Sequence, residues 1–181
     1  FLAAHWNELM KGKAVKCRYI AATRAETVGF EFEKSSESTR AGKPVVIVTQ
    51  QEAEANEKQR ATTMKTWRFK ASNVRDFAWA SSRKFIWDAQ GFRKGGTNVL
   101  AMSFYPKEGN PLWEKYSTQA IIHTVEQYNK YAFDYPYPVA LSVNGPVGGM
   151  EYPMISFNGP RPTRDKKTGE LTYSKNTKYG L

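Results

Sequence analysis

Three consecutive stretches decide the fold: Val139-Ala140-Leu141-Ser142-Val143, Gly148-Gly149-Met150-Glu151-Tyr152 and Pro153-Met154-Ile155-Ser156-Phe157. The first and third are apolar, β-prone runs, and the second places one acidic side chain beside paired glycines. Glycines let another backbone approach closely because no Cβ intervenes, and a carboxylate among apolar neighbours is costly unless it meets a cation. The combination suits a strand edge that grips a ligand, with Glu151 for the cation. The competing reading is a hairpin turn or bulge at Gly148-Gly149, with Glu151 solvated on the outer face.

Upstream of this segment lies the clearest helix signal. Asn110-Pro111 offers a cap followed by a proline suited to the first helical position, with Glu114 in the first turn. The pattern continues through Trp113, Tyr116, Ala120, Ile121, Val125 and Tyr128 and must end before Pro136. His123 falls beside Ile121, Ile122 and Val125, so it reads as a packing histidine rather than a metal ligand.

Before the helix the chain is strand-rich. Val15 to Ile20, Thr27 to Phe32, Pro44 to Thr49, Thr66 to Ala80, Lys84 to Ala89 and Asn98 to Tyr105 read as strands, interrupted at Gly91 and Gly95-Gly96. Leu2 to Met10 has helical spacing, Ser35 to Gly42 is a polar connector, and Gln51 to Arg60 reads as a short exposed helix. The shift from strands to a long helix marks a candidate domain boundary near Pro106–Asn110. The expected class is α+β, with residues 1–42 unassigned, 43–105 closing a β-rich domain and 106–181 opening another.

The 181 residues are 40% hydrophobic and 14% aromatic, enough for a buried core. No apolar run approaches the ~18 residues of a membrane helix. Phe1 to Trp6 shows neither an initiator Met nor a basic n-region, so no signal peptide is visible and the start reads as cut. The single cysteine, Cys17, excludes an internal disulfide and reads as a structural thiol.

The net charge of +10 raises nucleic-acid binding as a reading. Its distribution argues otherwise: residues 101–160 carry −2, and the excess sits before and after them. Lys65-Thr66-Trp67-Arg68-Phe69-Lys70 alternates as a half-buried strand does, and the basic stretch from Arg161 to Lys178 reads as a solvated loop.

The segment Phe133-Asp134-Tyr135-Pro136-Tyr137-Pro138, continued through Val139 to Pro153, resembles the aminopeptidase N-like zinc metallopeptidases, in which a Gly-x-Met-Glu-Asn segment lies along the substrate. The resemblance spans about Pro44 to Leu181. Lys65–Ala71, Asn73–Ala78 and Arg83–Asp88 look like the last strands of that family's β-rich, saddle-like amino-terminal domain. Phe157–Arg161 and Thr177–Leu181 look like the approach to its zinc-binding helix, within a thermolysin-like catalytic domain. Tyr152 stands where the family usually has Asn.

The resemblance implies that Glu151 binds a peptide's free α-ammonium group, that Gly148 and Gly149 pair with the extended substrate, and that Met150 and Tyr152 shape the first side-chain pocket. It also implies zinc, held by a H-E-x-x-H motif with a glutamate as general base. The two histidines, His5 and His123, stand 118 positions apart and neither carries that motif. The ligands are therefore expected beyond Leu181, with no catalytic or metal-binding residue in this chain and no peptide hydrolysis by the chain alone. The expected partners are peptides with a free amino terminus and the remainder of the same polypeptide, not nucleic acid, with no membrane span.

Two other readings stay open: a non-catalytic peptide-binding module and a basic nucleic-acid-binding domain. Preferred terminal residue, compartment and oligomeric state are also open, with an extracytoplasmic location favoured.

Overall fold

A computed structural model of the chain describes residues 43–60, 62, 64, 78–94 and 97–181. The elements expected at Leu2–Met10, Val15–Ile20, Thr27–Phe32, Ser35–Gly42 and Lys65–Lys70, together with Cys17 and His5, lie outside the described residues.

Alternating side chains set the plan. Along β2 (Ile86–Lys94) and β3 (Thr97–Tyr105), Trp87, Ala89, Met102 and Phe104 fall on one face, and Ile86, Asp88, Ser103 and Tyr105 fall on the other. The two strands pair antiparallel, with Trp87 opposite Phe104 and their rings stacked at 5.4 Å. β1 (Val45–Val48) joins the outer side of β2 across a register break between Val46 and Val48. Gly91, expected to interrupt a strand, instead lies buried within β2 opposite Leu100. Pairing along the whole ladder outweighs its weak strand propensity.

From β3 the chain crosses over through α2 (Leu112–Tyr131) to β4 (Val139–Asn144), which pairs parallel with β3. A parallel neighbour requires such a crossover. β5 (Met150–Tyr152) and β6 (Ile155–Asn158) then form a hairpin, and β6 inserts beside β4 so that β5 is left at the edge. The mixed sheet has the order β1-β2-β3-β4-β6-β5. Together with three helices among the described residues it makes a mixed α+β structure. The composition shift near Pro106–Asn110 therefore falls within one continuous sheet rather than between two.

α1 (Gln50–Lys58) starts with a capping box: Thr49 Oγ1 accepts from the Glu52 amide, and Glu52 Oε2 accepts from the Thr49 amide. α2 begins later than its sequence suggests, because Pro111 occupies the cap position and has no capping side chain. The Asn110 side-chain Nδ2 donates to Gln50 Oε1 at 2.9 Å, and its Oδ1, the atom a cap would use, has no partner.

The buried stripe of α2 is Leu112, Trp113, Ser117, Thr118, Ile122 and Val125. This phase turns His123 to solvent, correcting its expected packing role. Polar Ser117 and Thr118 sit inside the stripe because the sheet beneath them is polar there.

The stretch expected as a solvated basic loop carries structure. β7 (Thr163–Arg164) pairs with β8 (Leu171–Thr172), and α3 (Lys175–Tyr179) follows, capped by Ser174. Asp165 Oδ1 accepts from the amides of Lys167 and Thr168, closing the turn locally.

Candidate functional site

One row of side chains crosses the sheet on the α2 side. Asp88, Ser103, Ser142, Ser156 and Glu151 are successive register partners on β2, β3, β4, β6 and β5. Asp88, Ser103 and Ser142 are buried, Ser156 is half-buried and Glu151 is exposed. The row thus runs from a buried carboxylate under α2 to a solvated carboxylate at the open edge.

At the buried end, Asp88 Oδ2 accepts from the Tyr105 hydroxyl at 2.8 Å and Oδ1 accepts from Thr118. Thr118 Oγ1 lies 2.8 Å from Ser103 Oγ, which donates to Ser117 Oγ at 2.8 Å. Burial pushes the Asp88 carboxyl up to about 6 despite these bonds, and Glu114 adds to the rise. Burial, followed by the Asp88 charge, raises the Tyr105 hydroxyl well above its ordinary range.

At the open end, the five residues singled out from the sequence form one continuous segment, but they divide between the two faces. Met150 pairs with Phe157 and Tyr152 with Ile155 on the apolar face, where the Tyr152 ring meets Phe157 edge-on at 6.1 Å. Met150 is 43% exposed. Glu151 points to the opposite, polar face beside Ser156. One side of β5 has no strand partner among the described residues. Its main-chain groups on that side form an open sheet edge.

The two glycines serve different ends. A Cβ on Gly148 would stand 2.9 Å from the Gly159 nitrogen and 3.0 Å from its Cα. Its bareness therefore accommodates the chain's own backbone. Gly149 has φ +68 with open space around the missing Cβ, and its amide donates to the Phe157 carbonyl at 2.7 Å.

Behind this segment, buried Asn144 holds the loop after β6. Its Nδ2 donates to the carbonyls of Asn158 at 2.9 Å and Pro160 at 3.4 Å, and its Oδ1 accepts from Arg161 Nε at 2.6 Å. Trp113 Nε1 also donates to the Pro160 carbonyl, at 2.7 Å. Asn158 Nδ2 in turn donates to Ser142 Oγ at 2.7 Å and more weakly to Ser156 Oγ at 3.4 Å. Sequence reading missed Asp88, Ser142, Asn144, Ser156 and Asn158. The available signal was parity: each interrupts an apolar strand, at alternate positions.

Zinc, which the resemblance implies, needs at least three clustered donors. Among the described residues no three His, Cys, Asp or Glu side chains come together, and His123 stands alone on the solvent side of α2. The described residues do not fit a zinc site, so no chemical step is derived through one. No described helix is long and apolar enough to cross a membrane.

Compared with protein-family models, curated proteins and solved structures, the chain matches none.

Proposed function

We propose that this chain is the substrate-gripping part of a zinc-dependent, aminopeptidase N-like peptidase. The observation that carries the reading is Glu151: an exposed carboxylate on a three-residue edge strand whose free side suits an extended peptide. Glu151 would take the substrate's α-ammonium group and so fix the distance from the amino terminus to the scissile bond. The peptide main chain would pair along β5. Met150 and Tyr152, on the opposite face, would meet a neighbouring side chain. Zinc and its general base would come from outside these residues.

The test is Glu151→Gln in the complete enzyme, which removes the charge and keeps the shape. A charge-assisted hydrogen bond of roughly 1.5–3 kcal/mol corresponds to a fall of about 10- to 150-fold in kcat/KM for free-amine peptides. Unchanged kinetics would overturn the role of Glu151. A second reading is a peptide-end grip without chemistry. It predicts binding of the same peptides with no hydrolysis by the complete polypeptide.

A further inference from the structure

Three oxygen-to-oxygen contacts tie α2 to the sheet beneath it: Asp88 Oδ1 with Thr118 Oγ1, Thr118 Oγ1 with Ser103 Oγ at 2.8 Å, and Ser103 Oγ with Ser117 Oγ at 2.8 Å. Each contact needs one proton between its oxygens. In the last of them Ser103 is the donor, so its proton is spent on Ser117. Thr118 is aligned to donate to both Asp88 and Ser103, but a hydroxyl carries a single proton. With Asp88 ionised, the protons of Thr118 and Ser103 alone have to serve all three contacts. All four side chains are buried, and burial keeps solvent from supplying the missing donor.

The count closes when the carboxyl carries a proton on Oδ1. Asp88 then donates to Thr118, Thr118 to Ser103 and Ser103 to Ser117, with Thr118 and Ser103 each accepting once and donating once. The surroundings of Asp88 include no compensating cation. β1 sets Val46 opposite it, α1 brings Ala53 to this side of the sheet, and Gln90, next along this face of β2, accepts from Gln119, a neutral contact. The titratable groups acting on Asp88 are Tyr105 of β3, which donates to Oδ2 and favours the anion, and Glu114 of α2, whose negative charge favours the acid. None of the described groups that shift it is a cation.

We propose that Asp88, as the neutral acid, is the first donor of a one-way hydroxyl chain, Asp88 to Thr118 to Ser103 to Ser117, and that release of its proton opens the middle link of this tie between α2 and the sheet. The proton leaves for solvent, and no covalent bond between heavy atoms changes. Thr118 then turns its own proton to the carboxylate, and its oxygen faces that of Ser103 with no proton between them. Thr118 thus serves both forms, more strongly as donor to the anion, since hydrogen bonds to charged groups exceed neutral ones. Ser103 serves the acid alone. The helix is therefore fastened to the sheet most firmly when Asp88 is protonated.

The experiment follows the Asp88 carboxyl by carbon-13 NMR across pH in wild type and Ser103→Ala. Alanine removes the acceptor that the acid form uses and the oxygen that crowds Thr118 in the anion form. The midpoint should fall by about 0.4–1.1 pH units, the size of one neutral hydrogen bond. A Ser103 that merely adds polarity around the carboxylate predicts the opposite sign, because its loss would deepen the desolvation of the anion. A midpoint that rises or stays where it is overturns the proposal.

If Ser103→Ala does not fold, Ser117→Ala takes its place. That change frees the Ser103 proton to turn to Thr118, which repairs the middle link in the anion and should again lower the Asp88 midpoint. A fall upholds the chain, and a rise or no change overturns it.

Discussion

Asp88 and Tyr105 meet through a 2.8 Å hydrogen bond between strands β2 and β3, and the carboxylate that accepts it is only 2% exposed. A buried carboxylate whose donors are neutral hydroxyls keeps most of its desolvation cost.

That cost gives stability a specific pH dependence. The Asp88 carboxyl ionises at about 6 in the folded chain against an ordinary 3.8. Between these values the unfolded chain has released the proton and the folded chain retains it. The folded state therefore binds more protons, and stability falls as pH rises through this window. At 1.36 kcal/mol per pKa unit, wild type should lose roughly 3 kcal/mol relative to Asp88→Asn between about pH 3.5 and 7. Urea denaturation of both proteins across that range checks it, and parallel curves would contradict it.

Thr118→Val should raise the titration of Asp88 further. The Thr118 hydroxyl donates to Oδ1 and lowers the Asp88 pKa. Valine keeps the shape and removes that bond. Carbon-13 NMR of the Asp88 carboxyl should show a midpoint above that of the wild type, and an unchanged or lower midpoint would remove Thr118 from the account.

Asn144→Leu should cost roughly 1–3 kcal/mol, because it leaves half-buried partners on Asn158 and Arg161 unmatched. Pro160 keeps its bond from Trp113. Asn144→Asp, which retains the Arg161 contact, should still lose the two donated bonds. A chemical-denaturation midpoint within error of wild type for Asn144→Leu would show that the loop is held by other means.

Gly148 and Gly149 should respond differently to substitution. Gly148→Ala drives a Cβ into the Gly159 backbone, which cannot yield as a flexible side chain would, so a loss of about 1–3 kcal/mol is expected. Gly149→Asn places a tolerant residue at φ +68 in open space and should cost under ~1 kcal/mol. Thermal melts of the two variants check the order, and the reverse order would exclude the Gly159 contact as the reason for glycine.

The elements that were legible in the sequence owe their order to local patterns. Strands β1, β3, β4 and β6 follow runs of apolar and β-branched residues, and the length of α2 follows its helical spacing. The start of α2 was not legible, because Pro111 rather than Asn110 takes the cap position. The phase of α2 was misread at His123 because Ser117 and Thr118, polar in the sequence, belong to its buried stripe. The segment from Gly148 to Tyr152 announced itself by composition, but its partners did not. Ser142, Asn144, Ser156 and Asn158 come together only through the strand order β4-β6-β5, which no local pattern encodes.

A sheet edge with free main-chain groups is also an invitation to other copies of the same protein. Here the edge strand spans only Met150 to Tyr152, is followed at once by Pro153, and carries a charge at its centre. Two such edges brought together would gain few hydrogen bonds and would set Glu151 close to its own counterpart. The strand is too short to seed a growing stack, so the open edge is guarded against self-association by its own brevity and charge.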